Sequence, residues 1–140
     1  MRQIDLKDEA ATLALGATLA KQLKVGDVLC LSGDLGAGKT TLARGLIQSQ
    51  LGDVEVPSPT YTLVQTYDWD DAELWHCDLY RLEQPRDAYE LGLIDAMDEC
   101  IILIEWADRL GDLLPDTAKH LHIAFDGKGR QATLSGFDDG

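Results

Sequence analysis

The stretch "SGDLGAGKTTLARG", residues 32–45, follows the apolar run Val28–Leu31 and sets four glycines around one lysine and two threonines. Glycine costs backbone order, and a chain spends it where the backbone must turn sharply or approach something closely. Gly33 to Thr40 fits G-x-x-x-x-G-K-[ST], with a buried strand predicted before it and a helix after it, the context this motif requires. Glycines let successive N–H groups turn inward as an anion-binding nest, and the helix start adds partial positive charge. The stretch therefore reads as a phosphate-holding loop for a nucleoside triphosphate. Lys39 would reach the β- and γ-phosphates, the Thr40 hydroxyl would ligate Mg²⁺, and Thr41 would contact the α-phosphate. A glycine turn that merely caps a helix has no use for the lysine.

Around this loop the chain reads as one domain, 1–140. In "DEAATLALGATLAKQLK", apolar residues return at Ala10, Leu13, Ala17, Ala20 and Leu23, the spacing of one helical face. The segment "VGDVLCLS" predicts a turn and a buried strand, and "KTTLARGLIQSQLG" a helix ending near Gly52. After "VPSPTYT", the alternating segments "TYTLVQTY" and "AELWHCDLY" form a hairpin joined at "DWDD". A helical region follows over "PRDAYELGLIDAMDE", then the buried strand "CIILIEW", then the strands "HLHIAF" and "RQATLSGF" joined by "DGKGR". This order predicts an α/β fold of P-loop NTPase type, with a mixed, mostly parallel central sheet, antiparallel edge hairpins and flanking helices.

Nucleotide chemistry also needs a carboxylate near the magnesium. Glu105 emerges at the C-terminal end of the aliphatic strand Ile101–Ile104, where open α/β sheets gather their ligands, so it reads as the Mg²⁺-side acid. In "HCDLYR", His76, Asp78 and Tyr80 share one strand face. That face either turns Asp78 towards the phosphates or is a half-solvated hairpin face, and a structural hydrogen bond is the simpler role for His76. Thr60 or Thr62 could sense the γ-phosphate, or belong to a plain hairpin edge. No N-K-x-D stretch is present to read guanine, which favours ATP over GTP.

The formal charge of −13 repels phosphodiester backbones, so strong direct nucleic-acid binding is not expected. No apolar stretch approaches the ~20 residues of a membrane span, and the start of the chain lacks the apolar region of a secretory signal. The expected location is the cytoplasm. Cys30, Cys77 and Cys100 lie in or beside apolar segments and read as buried free thiols.

"SGDLGAGKTTLARG", "SPTYTLVQTY", "HCDLYRL" and "IEW", in this order, closely resemble the bacterial TsaE family, formerly YjeE, over roughly residues 8–135. The resemblance implies an ATPase of the machinery that makes threonylcarbamoyladenosine beside the anticodon of tRNAs reading codons that begin with A. It implies a protein that binds a TsaB–TsaD heterodimer and resets it through ATP hydrolysis, without itself transferring the threonylcarbamoyl group. It further implies a nucleotide loop over Gly36, Ala37, Gly38, Lys39, Thr40 and Thr41, magnesium ligands at Thr40 and Glu105, and an essential acid at Asp78. Trp106 corresponds to a tryptophan at the nucleotide pocket, Thr12 to a threonine near the adenine, and Arg130 to a late basic residue near the nucleotide.

Three activities stay open on the residues alone: an ATPase that depends on its partners, a nucleotide-dependent binding module, and a small P-loop kinase. Little chain is left for a kinase's lid and acceptor pocket. Either Asp78 or Glu105 positions the attacking water, and Arg81 is a candidate arginine finger.

Overall fold

Continuous aliphatic runs are the mark of strands buried on both faces. Val28–Leu31 and Ile101–Ile104 are buried throughout, and each of these side chains contributes roughly 1.5–3 kcal/mol on leaving water. The computed structural model describes residues 2–33, 38–57, 59, 63–70 and 72–137. Among these are seven strands and four short to medium α-helices in a mixed α/β arrangement, parallel at its centre and antiparallel at its edges. The chain divides into two compact units, Met1–Leu23, Ser32–Pro57 and His120–Gly140 in the first, Lys24–Leu31 and Ser58–Lys119 in the second.

In the second unit, β2 (Val28–Gly33) pairs in parallel with β5 (Ile101–Glu105), and β5 in parallel with β4 (Ala72–Asp78). β3 (Val64–Trp69) closes this side, antiparallel to β4, with Trp69 opposite Ala72. The strands thus run further towards each other than "DWDD" implied, β3 reaching Trp69 and β4 beginning at Ala72. Residues 60–62, where the first hairpin strand was expected to begin, lie outside the described residues. Val28, Cys30, Cys77, Ile102 and Ile104 face a core shared with α3 (Asp87–Glu90), α4 (Leu93–Ala96) and Leu110. The expected helix over 85–99 is divided because Gly92 adopts φ 76°, a left-handed turn that ends one helix and starts the next.

In the first unit, β1 (Arg2–Leu6) is antiparallel to β7 (Gly129–Ser135), and β7 to β6 (Lys119–Asp126). Asp126 faces Gly129 across a two-residue turn led by Gly127, as the glycine-bearing "DGKGR" predicts. α1 (Glu9–Ala20) starts where the Asp8 carboxylate accepts a hydrogen bond of 2.8 Å from the Ala11 N–H, and α2 (Lys39–Leu51) ends at Gly52. The buried side of α1 is Thr12, Leu15, Gly16, Leu19 and Ala20, rotated from the expected face, with Ala10 exposed. The reason is the partner helix. A Cβ on Gly16 would lie 2.5 Å from the Leu42 carbonyl oxygen of α2, and a Cβ on Gly45 of α2 would lie 2.5 Å from that of Leu13. Backbone meets backbone at these two glycines, and this contact, not the widest apolar stripe, sets which way α1 turns.

No helix among the described residues is long and apolar enough to cross a membrane. Cys30, Cys77 and Cys100 are free and buried. Burial pushes the Cys30 thiol from 9.0 up to about 11 and raises Cys77 further. With the folded value raised, this contribution to stability is complete below about pH 9 and is lost as pH rises through the folded value. At pH 8, iodoacetamide is expected to leave all three thiols of the native chain unmodified while labelling the denatured chain promptly. Rapid labelling without denaturant would contradict their burial.

Candidate functional site

The first unit assembles one group of the residues singled out in the sequence. β2 ends at Gly33, whose φ of 142° and direct approach to the Ile123 carbonyl leave no room for a side chain. Gly36 and Ala37 lie outside the described residues. Gly38, at φ 117°, opens α2 with no side chain capping it. Lys39 is the first residue of that helix, and its Nζ donates to the Gly33 carbonyl at 3.1 Å, folding the ammonium back over the base of the loop. Thr40 and Thr41 follow in the first turn.

The close α1–α2 crossing then matters locally. Thr12, 3% exposed, lies beside Gly38, with its Cγ2 at 3.7 Å from where a Cβ of Gly38 would stand. A cleft of about 260 Å³ is lined by Thr12, Gly38, Thr41, Lys128 and Arg130, among others. The Arg130 guanidinium is held over the Phe125 ring at 4.2 Å and donates to the Gly129 carbonyl at 3.0 Å. Thr12, Gly38, Thr41 and Arg130, scattered over 119 positions of sequence from 12 to 130 inclusive, thus meet at one concavity. Lys128 shares it and was not singled out in the sequence; its place in a turn beside Arg130 was the available signal.

The second unit assembles the carboxylates. Parallel pairing sets Asp78 opposite Glu105 at the C-terminal ends of β4 and β5, each 5% exposed. The same register puts His76, wholly buried, on their face of the sheet. That face is interior rather than half-solvated: Leu74, His76 and Asp78 are all buried on it. His76 Nε2 is 3.1 Å from Glu105 Oε2. A carboxylate oxygen only accepts, so Nε2 carries the hydrogen, and Nδ1 is left buried with no hydrogen-bond partner. Leaving such a nitrogen unsatisfied costs about 1–3 kcal/mol. Asp78 Oδ1 accepts from the Tyr80 N–H at 3.0 Å, and the Glu105 carbonyl accepts from the Leu79 N–H at 3.0 Å, so both strand ends hold the chain that leaves β4.

Trp106 leaves β5 at φ 61°, a left-handed conformation costly for an aromatic residue, and is 41% exposed. Its ring lies 5.0 Å from that of Tyr80, and Arg109 stands 5.8 Å from the Trp106 centroid and 5.6 Å from the Tyr80 centroid. The sequence marked Trp106 but not this aromatic and guanidinium cluster, which depends on the turn after Glu105.

Among the described residues no three His, Cys, Asp or Glu side chains are arranged to cage a metal. Magnesium in nucleotide sites takes one or two carboxylates and completes its shell with hydroxyl, phosphate and water, a chemistry that the hydroxyl of Thr40 in the first unit and the carboxylate of Glu105 in the second each suit.

A parallel-centred α/β chain whose strand β2 leads through a glycine-rich segment into α2, with paired carboxylates at the ends of β4 and β5, defines the class. The chain belongs to the TsaE family: the family model "Threonylcarbamoyl adenosine biosynthesis protein TsaE" matches residues 6–133. Its relatives include the Rickettsia felis tRNA threonylcarbamoyladenosine biosynthesis protein TsaE, 43% identical over 110 residues covering 78% of this chain and 64% of that one. The match thus spans less than two thirds of that relative's length. A protein of the same name from Nostoc sp. is 38% identical over 145 residues, covering 99% of this chain and 88% of that one. The crystal structure of Bacillus subtilis YdiB superposes with a TM-score of 0.79 at 27% identity, covering 99% of this chain and 86% of that one.

Proposed function

We propose that this chain is a Mg²⁺-dependent ATPase of tRNA threonylcarbamoyladenosine formation, acting in the cytoplasm on a TsaB–TsaD heterodimer rather than transferring the threonylcarbamoyl group itself. The observation that carries the reading is the meeting of Thr12, Gly38, Thr41 and Arg130 at one cleft beside the start of α2, in a chain of this family. Lys39 and the amides of the loop over Gly36, Ala37 and Gly38 hold the phosphates, Thr41 the α-phosphate. Thr12 and Arg130 hold the adenosine end, with Trp106 a further contact to the nucleotide. Thr40 and Glu105 are the magnesium ligands. Bound Mg²⁺ supplies neutralisation of the charge that develops on the transferring phosphoryl group. Asp78 or Glu105 positions the attacking water. With a formal charge of −13, the chain meets tRNA through protein partners rather than by direct contact.

ATP hydrolysis by the purified chain with Mg²⁺, alone and with TsaB–TsaD, tests this. Turnover is expected to rise with the heterodimer and to fall at least about 100-fold in Glu105→Ala and Asp78→Asn, a scale set by loss of a positioned acid. Binding of ATP without turnover, with an affinity for the heterodimer that differs between ATP and ADP, would make the chain a switch. Turnover raised by a small acceptor molecule instead would make it a kinase.

A further inference from the structure

Among the buried polar groups of the second unit, His76 has no role in the chemistry assigned so far. The ring is wholly inside the protein, on the sheet face that carries Asp78 and Glu105 and opposite the apolar core of Cys77, Ile102 and Ile104. Its Nε2–H donates to Glu105 Oε2 at 3.1 Å, and its Nδ1 has no partner. The ring's one polar act among the described residues is therefore to hold that carboxylate. An apolar side chain would fill the same interior without burying an unsatisfied nitrogen, so packing alone does not account for an imidazole here.

Glutamate has three side-chain torsions, and a carboxylate left to itself at a strand end samples several orientations. A donor fixed in the sheet interior removes that freedom at folding rather than at ligand binding. It also assigns the two oxygens different tasks, one taken by the ring and the other left for a cation. Hydrogen bonds from behind a metal-binding group act in this way elsewhere, and their loss typically weakens metal binding by 10–100-fold.

We propose that His76 is the positioning residue for Glu105, holding Oε2 through Nε2–H so that Oε1 is presented to the Mg²⁺ of the bound nucleotide. This rests on the reading of Glu105 as the Mg²⁺-side acid.

The test compares the affinity for a non-hydrolysable ATP analogue, measured by calorimetry with Mg²⁺ and with EDTA. The ratio of the two is the gain due to the metal. In His76→Leu this gain is expected to fall about tenfold while affinity in EDTA stays as in the parent chain. His76→Gln, whose side-chain amide can donate to the same oxygen, is expected to keep the gain to within about threefold. In a Glu105→Ala background, His76→Leu is expected to cause no further loss, since the ring acts only through that carboxylate. Where the leucine variant fails to fold, His76→Phe, which keeps the ring's bulk without its donor, carries the comparison. An undiminished gain in the folded leucine or phenylalanine variant, or an equal further loss in the Glu105→Ala background, overturns the proposal. A Glu105→Ala chain that keeps the full gain overturns the assignment of Glu105 itself, and the proposal with it.

Discussion

Lys39→Ala is expected to weaken ATP binding at least about 100-fold while leaving the chain folded. Charge-assisted hydrogen bonds contribute about 1.5–3 kcal/mol each, and a lysine that reaches two phosphate groups makes two of them. Even the lower sum, near 3 kcal/mol, is roughly a factor of 100 in affinity. The fold has less at stake. Lys39 Nζ donates to the Gly33 carbonyl, one bond from a charged donor at about 1.5–3 kcal/mol against the two made to phosphate. Alanine at the first position of α2 is the best helix former, which offsets part of that loss. Calorimetric titration with ATP and Mg²⁺, beside a thermal melt of the same preparation, separates the two effects. A variant that melts like the parent and binds ATP equally well would remove the phosphate-holding loop from the account.

The parts of this molecule that were legible in the sequence are those written in consecutive residues. Ile101–Ile104 is a four-residue aliphatic run, and it is the buried strand β5 with Glu105 at its end. The glycines of "DGKGR" announce the turn between β6 and β7. Other features depend on partners distant in sequence, and local pattern is silent about them. β1 has only Ile4 and Leu6 to mark it, and it exists because β7, more than 120 residues later, supplies its hydrogen bonds. His76 and Asp78 alternate with apolar residues like one side of a solvent-facing strand, yet with Leu74 they are buried, and burial of a sheet face depends on what packs over it, not on the strand's own residues.

The candidate site divides in the same way. Gly38, Lys39, Thr40 and Thr41 are contiguous and were visible as a motif. Thr12 and Arg130 entered through family likeness, and what unites them with Gly38 and Thr41 is a tertiary cleft that no spacing announces. The hydrogen bond between His76 and Glu105 joins side chains 29 residues apart, and neither residue's neighbours predict it.

Gly45→Val is expected to lower stability by about 3 kcal/mol and the melting temperature by about 10 °C, from the usual cost of overpacking and the size of the chain. The three atoms nearest a Cβ at position 45 would all be Leu13 backbone, its O at 2.5 Å, its Cα at 2.8 Å and its C at 3.0 Å. Backbone atoms inside a helix cannot rotate aside as a flexible side chain does, so α1 and α2 must separate. Valine gains a few tenths of a kcal/mol over glycine in helix propensity, too little to offset that movement. The separation should also reach the cleft, because α1 carries Thr12 and α2 begins beside Gly38. Nucleotide affinity is therefore expected to fall in the folded fraction of the variant as well. Gly52→Ala supplies the contrast. A Cβ there has nothing within 4 Å, and the cost is confined to its backbone, φ 82° with ψ −150°, a region that glycine alone occupies readily, about 1–3 kcal/mol with affinity unchanged. Equal melting temperatures for Gly45→Val and the parent chain would mean that the two helices do not meet through these glycines.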